Sequence, residues 1–394
     1  MVSSEQPAHD DPVLRDALRT VIDPELGDNI VDLGMVRSVT KDTGGEVLVS
    51  IALTVAGCPL RSQIERDAAA RLSSIAGVSG VKIEIAAMDG EERAAVMKRA
   101  RLKARERAPE TAVPHDARVI AIASGKGGVG KSSVAVNLSV ALARRGLRVG
   151  LLDADVWGFS VPRLIGIEGT IEAEGGKMLP IELTVGQGSV RVLSMGFLSG
   201  EEEAIMWRGL LLNRAVQQFL QDANWGDIEY LLVDLPPGTG DVQMGLARIL
   251  PRSEMILVTT PPVAAQKVAA RAADMARRGY LRVTGVVENM SEFTCDHGET
   301  YALFGSGGGE RLALDLGVPF LGKIPLNPAV AAGGDRGEPV AMGSGPLAEV
   351  FAQLAEKIAD EISPIVETTT CSARLIEQVE KAVLAGADTA SAPI

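Results

Sequence analysis

Cysteine and aromatic residues are both scarce in this sequence, and each scarcity narrows what the protein can be. The 394 residues include three cysteines, Cys58, Cys295 and Cys371, which are too few and too scattered for a disulfide framework. Aromatic residues make up 3% of the chain, so aliphatic side chains and alanine must fill its cores; the hydrophobic content of 46% is enough for this. No uninterrupted apolar run approaches the ~18–20 residues that a bilayer requires. We therefore expect a reduced protein without a membrane span.

Basic residues are fewer than acidic ones. The 39 Lys and Arg residues against 51 Asp and Glu residues give a net charge of −12, which suits a soluble protein and opposes broad nucleic-acid binding. The opening residues 1–12 are polar and acidic, unlike a secretory signal. The composition therefore predicts a cytoplasmic enzyme that binds neither nucleic acid nor membrane, and the length predicts two domains, one of them large.

The most informative stretch is glycine-rich. Residues 125–133 read Gly-Lys-Gly-Gly-Val-Gly-Lys-Ser-Ser, after an apolar run at 118–124 and before apolar residues at helical spacing in 134–143. A buried strand, a glycine-rich loop and a helix N-terminus in this order are typical of the phosphate-binding loop of a nucleotide-hydrolysing enzyme. The predicted nucleotide-binding residues of the loop are Gly125, Lys126, Gly127, Gly128, Val129, Gly130, Lys131, Ser132 and Ser133.

Two lysines of this loop have different predicted roles. Lys131 is placed to reach the terminal phosphates, and the Ser132 hydroxyl is placed for Mg²⁺. The phosphates do not need two lysines from one chain. We therefore expect Lys126 to reach across a dimer interface.

Composition and periodicity divide the chain into five segments. These are a disordered N-terminus (1–10), a small α+β domain (11–90), a basic linker (91–116), a P-loop ATPase domain (117–364), and a C-terminal helix with a frayed tail (365–394). The basic segment contains seven Lys and Arg residues within 93–107. Because no aromatic residues are interleaved with them, a solvated helical linker is favoured over a nucleic-acid arm.

Short apolar strands alternate with helices from residue 118 onward. This pattern predicts an α/β fold, a three-layer P-loop sandwich with a mostly parallel sheet, preceded by the small α+β domain. The strand candidates are 119–123, 148–152, 189–194, 230–234, 255–259, 282–287 and 320–324. The helix candidates are 134–145, 210–222, 242–250, 262–278 and 346–362.

Acidic residues end two of these strands, where ligands bind in open α/β sheets. Phosphoryl transfer requires an acid near Mg²⁺, a group that orients the attacking water, and a loop that senses the γ-phosphate. Asp234 is the candidate for the acid near Mg²⁺, and Asp155 is the better candidate to orient the attacking water. Residues 238–240 resemble the sensing loop, with Asp241 coupling it to the following helix. Asp153 alone is weak evidence, because acids end many non-catalytic strands.

The motifs resemble a known family. The two-lysine loop 126–131 resembles the deviant phosphate loop of the MinD/ParA group of dimeric ATPases. Within that group, the segments 153–162, 206–209, 234–241, 288–291 and 304–309 resemble the Mrp/ApbC family of iron–sulfur cluster carriers. The stretches 21–34 and 54–59 are similar to the small iron–sulfur assembly-factor domain fused ahead of many such proteins. The resemblance extends from Asp11 to about Ile362.

This resemblance implies an ATP-driven homodimer, with slow Mg²⁺-dependent hydrolysis, that binds an iron–sulfur cluster and passes it to apoproteins. Its partners would be apo iron–sulfur proteins and cluster-assembly scaffolds. It further implies that Lys126 contacts the nucleotide of the partner subunit, that Asn289 hydrogen-bonds adenine, and that Pro325 lies against the base.

The sequence departs from the family pattern at one important place. The family loop after Asn-Met-Ser carries Cys-x-x-Cys, and two such pairs hold a cluster across the dimer axis. Here Cys295 matches the first cysteine, but Gly298 stands in place of the second. Two Cys295 and two His297 residues from a symmetric dimer would supply four ligands, because histidine replaces cysteine in some two-iron centres. The alternative, which the sequence favours equally, is that Cys295 and His297 are ordinary loop residues without a ligand role. A smaller departure is Phe159, where the family usually has proline.

Cys58 is a second candidate cluster ligand. It directly precedes Pro59 at a predicted helix start, where the helix dipole favours a thiolate. The alternative is a small half-buried residue at the cap. Cys371 lies in a Thr-rich tail and is interpreted as incidental.

Two other functions remain open. One is a positioning ATPase whose ATP-gated dimers bind membrane or DNA. Membrane binding would need a basic amphipathic C-terminal helix, whereas the predicted helices here carry acids such as Glu349, Glu356 and Glu377. DNA binding would need basic patches, which the overall charge opposes. A dimeric nucleotide switch without cluster chemistry is kept open by the missing second cysteine.

Overall fold

A computed structural model describes residues 10–23, 26, 28–54, 61–155, 158–197, 209–238, 240–279 and 281–365. The chain divides into two compact units. The first comprises Met1–Pro109 with Ala247–Arg252 and Met275–Leu281, and the second comprises Glu110–Leu246, Ser253–Asp274 and Arg282–Ile394. Several predicted features lie outside the described residues, among them Cys58 with the rest of 55–59, Cys371, Thr239, the segment 206–208, the N-terminus (1–9) and nearly all of the C-terminal helix and tail (366–394).

The first unit is an α+β domain. Its elements are α1 (Pro12–Ala17), β1 (Ile22–Asp23), β2 (Asp28–Asn29), β3 (Val36–Lys41), β4 (Glu46–Leu53), α2 (Arg61–Ser73), β5 (Gly80–Ala87) and α3 (Gly90–Arg107). The central strand β4 pairs antiparallel with β3 and parallel with β5. Alternate residues of β4 such as Val47 and Val49 are buried, and α2 packs Ile64, Ala68 and Leu72 into the same core.

The basic segment after residue 90 begins as a packed helix. Val96 and Ala100, four residues apart on one face of α3, are buried in the core of the first unit. Lys103 Nζ lies 2.8 Å from Asp28 Oδ2 and 2.5 Å from Asp32 Oδ2. The many charges of this segment favour a solvated linker by composition alone, but its helical part is packed as part of the N-terminal unit.

The remaining elements follow in chain order. They are β6 (Arg118–Ala123), α4 (Lys131–Arg144), β7 (Arg148–Asp153), α5 (Val161–Ile165), β8 (Glu172–Glu174), β9 (Lys177–Leu179), β10 (Ile181–Val185), β11 (Gly188–Ser194), α6 (Gly209–Gln221), β12 (Tyr230–Asp234), α7 (Asp241–Ile249), β13 (Glu254–Thr259), α8 (Val263–Arg278), β14 (Arg282–Asn289), β15 (Phe293–Thr294), β16 (Thr300–Tyr301), α9 (Gly308–Leu316), β17 (Phe320–Ile324), α10 (Pro328–Arg336) and α11 (Pro346–Lys357).

The second unit is built on an eight-stranded sheet with the order β10-β11-β7-β12-β6-β13-β14-β17. Every neighbouring pair is parallel except β10 and β11. The predicted α/β class with a mostly parallel sheet is therefore confirmed. Central strands such as β12 are buried along their whole length, as expected for a parallel sheet covered by helices.

Helix α4 has a central place in this core. Its residues from Val134 to Ala143 are all buried, and they share one apolar cluster with strand residues of β6 and β7 and with α11. Strand, loop and helix are thus held rigidly where the phosphate loop turns from β6 into α4. Within the described part of the chain, no helix combines the length and apolarity needed to cross a bilayer.

Candidate functional site

The phosphate loop has backbone geometry that only glycine accepts at several positions. Gly128 and Gly130 lie in the left-handed region, with φ of 79° and 77°. A Cβ at Gly125 would lie 2.3 Å from the backbone of Val268 and Ala269 on α8. The loop is therefore held against a helix at its start and turned by Gly130 into α4 at its end.

The N-terminus of α4 is left open to a ligand. Gly130 is the N-cap, and among the described residues no side-chain cap hydrogen bond is made to the first turn of the helix. Free N–H groups and the helix dipole favour an anion at this place. Lys131 opens the helix with its side chain 6% exposed, and Ser132 and Ser133 follow it half-buried. Lys131, Ser132 and Ser133, three of the predicted phosphate-binding residues, thus lie in the first turn of α4.

Lys131 forms a buried ion pair with Asp234 at the end of β12. Burial raises the pKa of the Asp234 carboxyl, while the Lys131 ammonium opposes this rise. Lys131 Nζ also lies 3.3 Å from Ser132 Oγ. The second carboxylate oxygen of Asp234, Oδ2, is buried without a hydrogen-bond partner among the described residues. An orphaned carboxylate oxygen beside a serine hydroxyl is the oxygen donor set that Mg²⁺ prefers.

Asp153 anchors the loop that carries Asp155. One Asp153 carboxylate oxygen accepts the Asp155 N–H at 3.1 Å. The other accepts Ser160 N and Val161 N, each at 3.2 Å, and the Ser194 hydroxyl at 3.1 Å. Burial, followed by the nearby Asp234 charge, raises the pKa of Asp153 to about 7. From the sequence alone, Asp153 has little weight. Its role as the anchor of the Asp155 loop could not be predicted from a local pattern, because its partner Ser194 is 41 residues away.

Asp155 lies at the same edge of the sheet. It follows Asp153, whose strand pairs with β12 so that Asp153 and Asp234 are register partners. The half-buried Asp155 side chain accepts the N–H of Gly158 at 3.2 Å. The two strands therefore bring Asp155 to the sheet edge where Asp234 meets Lys131.

The proposed sensing loop contacts the phosphate loop through its backbone. Gly238 has φ of 98° and donates its N–H to Ser124 O at 2.9 Å. Ser124 in turn donates its hydroxyl to Lys126 O at 3.0 Å. Asp241 begins α7 three residues after Gly238. The backbone of Gly238 is thus linked to the phosphate loop through Ser124.

Asn289 and Pro325, the two residues expected to contact the adenine base, follow neighbouring strands. Asn289 ends β14 and Ile324 ends β17, and the two are register partners, so Pro325 follows next to Asn289. Asn289 Nδ2 donates to Val129 O of the phosphate loop at 2.8 Å. Lys126, in contrast, is exposed at the tip of the loop. This exposure suits a side chain that reaches out of its own subunit.

Cys295 lies on a short hairpin formed by β15 and β16. It is a half-buried free thiol, and its N–H donates to Glu299 O at 2.9 Å. His297 is exposed in the turn. Gly298 has φ of 83°, which disfavours any side chain there, a second cysteine included. Among the described residues, no group of three or more His, Cys, Asp or Glu side chains is arranged to hold a metal ion.

Two family models match the chain. The model described as "NUBPL iron-transfer P-loop NTPase" matches residues 116–362, and the one described as "Iron-sulfur cluster assembly protein" matches residues 13–85. These ranges correspond to the P-loop half and to the sheet-bearing part of the N-terminal unit.

Individual relatives resemble the chain over most of its length. A protein named "Iron-sulfur cluster carrier protein" from Mycobacterium tuberculosis is 44% identical over 358 residues, covering 89% of this chain and 92% of the relative. A protein of the same name from Deinococcus radiodurans is 44% identical over 359 residues, covering 90% and 95%. Among solved structures, a nucleotide-binding protein from Archaeoglobus fulgidus in complex with ADP is 33% identical, with a TM-score of 0.51, covering 64% of this chain and 96% of that chain.

Proposed function

The chain belongs to the family of NUBPL iron-transfer P-loop NTPases, and on that premise we propose that it is a homodimeric, Mg²⁺-dependent ATPase that carries iron–sulfur clusters and transfers them to apoproteins. The relatives named as iron–sulfur cluster carriers support this proposal, because the similarity spans both units. A carrier that keeps Cys295 as a thiol suits a reducing compartment such as the cytoplasm.

The phosphate loop and α4 would bind the triphosphate. Backbone N–H groups of residues 125–130 and of the first turn of α4 would donate to phosphate oxygens. Lys131 would exchange part of its interaction with Asp234 for the terminal phosphate. Asn289 and Pro325, which follow neighbouring strands, would bind the base.

The residues around Asp234 fit a magnesium ion. The orphaned Asp234 Oδ2 and the Ser132 hydroxyl are the groups that would hold it, directly or through water. When bound, Mg²⁺ would neutralise charge on the β- and γ-phosphates. The protein's own contribution is to keep these oxygens fixed at the end of β12, where Lys131 balances the carboxylate charge.

Residues next to the phosphate loop would activate the attacking water and stabilise the transition state. Asp155, on a loop fixed by Asp153, would orient the attacking water. Lys126 would reach the nucleotide of a second copy of the chain, as its exposure at the loop tip permits. Asp241, at the start of α7, would couple the γ-phosphate sensor at 238–240 to that helix. We expect slow hydrolysis, because catalysis then waits for dimer formation.

The cluster is the cargo, and Cys295 is its proposed ligand. One chain offers Cys295 and His297 on the hairpin, so a four-ligand site there requires two chains. Imidazole ligands would hold the cluster less tightly than thiolates, which suits a carrier that must release it. Cys58 is the second candidate ligand, in the N-terminal unit.

A single observation carries the proposal. The hairpin with the free Cys295 thiol begins four residues after Asn289, whose side chain contacts the phosphate loop, and this proximity supports a link between the proposed cluster ligand and the proposed nucleotide site. The experiment is anaerobic reconstitution with iron and sulfide, followed by visible absorbance, metal analysis and transfer to the apo form of an iron–sulfur enzyme. We expect one cluster per dimer, loss of the absorbance in Cys295→Ala, and no change in the matched control Cys371→Ala.

A dimeric ATP switch without cluster chemistry is the second candidate. The absence of a third metal-ligating side chain near Cys295 and His297, within the described residues, favours it. Unchanged iron content in both Cys295→Ala and Cys58→Ala would contradict the carrier function and support the switch. If the protein is such a switch, both variants should still dimerise when ATP binds, which light scattering measures.

A further inference from the structure

Met290 has an unusual backbone. In the described part of the chain it is the one residue other than glycine with a positive φ, 55°. Side chains with a Cβ disfavour this left-handed region, so it persists only where neighbouring contacts hold it. Met290 lies directly between Asn289 at the end of β14 and the hairpin that carries Cys295. The strained position therefore separates the nucleotide site from the proposed cargo site.

Contacts on one side of Met290 tie it to the phosphate loop. Asn289 Nδ2 donates to Val129 O at 2.8 Å. A Cβ built on Gly130 would lie 2.3 Å from Asn289 Nδ2 and 3.5 Å from Met290 Cε. Both side chains thus rest against the backbone of Gly130, one residue before Lys131. Any displacement of Gly130 must move them.

Contacts on the other side tie the chain to β17 and to the hairpin. Ser291 donates both its N–H and its hydroxyl to Ile324 O, each at 3.1 Å. Leu326 N donates to Glu292 O at 2.7 Å. The hairpin then closes through the hydrogen bond of Cys295 N to Glu299 O. Residues 291–295 are therefore held as a short braced segment, and Met290 is the joint at its start.

We propose that Met290 is a positioning residue that couples the phosphate loop to the Cys295 hairpin. The left-handed and extended backbone regions are separate wells, so a displaced Gly130 switches this joint between two arrangements instead of bending it gradually. Nucleotides that hold the loop differently then give the Cys295 thiol different exposure. The inference rests on the proposed function: if Cys295 binds the cluster, this coupling makes cluster release depend on which nucleotide is bound.

The test measures Cys295 itself in the full-length, cluster-free chain. Alkylation by iodoacetamide is followed at the Cys295 peptide by mass spectrometry, once with Mg-ADP and once with Mg²⁺ and a non-hydrolysable ATP analogue. We expect the two alkylation rates to differ about fivefold or more, the lower end of typical coupling between two sites. Met290→Gly removes the Cβ penalty and the contact with Gly130, so the difference should vanish, and calorimetry checks that both nucleotides are still bound at the concentrations used. Met290→Leu keeps a Cβ and an apolar contact and should keep the difference.

Two outcomes would overturn the inference: equal alkylation rates with both nucleotides in the wild type, or an undiminished difference in Met290→Gly. Glycine accepts positive φ, so this variant is expected to fold, and circular dichroism checks it. Met290→Asn, which also tolerates the left-handed region, serves as a second variant with the same expected loss. Failure of the proposed function is separate: a chain that couples nucleotide to Cys295 alkylation but gains no iron on reconstitution would refute cluster carriage and leave the coupling intact.

Discussion

Lys131 and Asp234 are 103 residues apart in sequence and form an ion pair in the interior of the second unit. The Lys131 side chain is 6% exposed and the Asp234 side chain is fully buried. Removing one member of such a pair leaves an uncompensated buried charge. The two residues proposed to bind the terminal phosphate and Mg²⁺ therefore also depend on each other for stability.

Lys131→Ala should lose productive Mg-ATP binding and also destabilise the second unit by about 3–5 kcal/mol, because Asp234 keeps a buried charge without a partner. Calorimetric titration and urea unfolding measure the two effects. The double variant Lys131→Met with Asp234→Asn should recover much of the stability, since no charge is left, but not the binding. If Lys131→Ala is as stable as the wild type, the buried ion pair does not contribute to stability as expected.

Lys126→Ala should bind Mg-ATP nearly as well as the wild type and hydrolyse it roughly 10³-fold more slowly, because a lysine acting in trans stabilises the transition state instead of the bound ground state. Titration calorimetry and phosphate release separate binding from turnover. Lys177→Ala, another exposed lysine of the second unit, is the matched control and should leave both unchanged. Equal loss of affinity in Lys126→Ala and Lys131→Ala would rule out the trans role.

Asp155→Asn should retain ATP but hydrolyse it poorly, by about 10²–10⁴-fold, because the carboxylate that orients water is gone while the phosphate cradle remains. Nucleotide analysis after gel filtration should find intact ATP on the protein. The exposed Asp315 provides a control variant, Asp315→Asn. Normal turnover in Asp155→Asn would move the water-orienting role to Asp241.

Asp153→Ala should lower turnover as Asp155→Asn does, although Asp153 is assigned no contact with the nucleotide. The change removes the acceptor for Asp155 N, Ser160 N, Val161 N and Ser194 Oγ, so the loop that carries Asp155 loses its anchor. Hydrogen exchange should rise in residues 158–161 and not in α11. A variant with slow turnover but unchanged exchange would point to a direct catalytic role for Asp153 instead.

The parts of the site that sequence predicted are those in which chemistry requires neighbours in the chain. The loop from Gly125 to Ser133 is one continuous motif, and acids at strand ends meet because parallel strands end at one edge of a sheet. Asp153 was undervalued because its donors are distributed between β11 and the start of α5. The left-handed backbone of Met290 is flanked by its own contact with Gly130 and by the hydrogen bonds of Ser291 to Ile324, which no local sequence pattern indicates.

The same reasoning applies to the fold. The seven parallel strands of the eight-stranded sheet were all predicted, because most of them are short apolar runs, whereas the antiparallel edge strand β10 is half-exposed and was missed. The packed helix α3 was interpreted as a solvated linker because seven basic residues obscured the spacing of Val96 and Ala100. Its attachment depends on acids near residue 30, about seventy residues earlier in the chain.

Asp32 should hold α3 in place in a pH-dependent way. Hydrogen bonds from Lys103, and then from Asn29, lower the pKa of Asp32 from 3.8 to about 2. A folded pKa below the unfolded one contributes stability that is complete above about pH 4 and is lost as the pH falls towards 2. The Asp32 side chain is 26% exposed, so solvent limits the contribution to about 1 kcal/mol.

Asp32→Asn should therefore lower the free energy of opening of α3 by about 1 kcal/mol at pH 6 and by about half as much at pH 3, where the pH lies between the folded and the unfolded pKa of Asp32. Hydrogen exchange of α3 peptides in the full-length chain, corrected for intrinsic rates, measures this energy at each pH. Lys103→Met should give a loss at least as large at pH 6, because it removes the partner of Asp28 as well as that of Asp32. Asp16→Asn, which alters a largely exposed carboxylate on α1, is the control and should change neither value. A loss in Asp32→Asn that is equally large at pH 3 would mean that the asparagine disturbs packing, and that the charge of Asp32 is not what holds the helix.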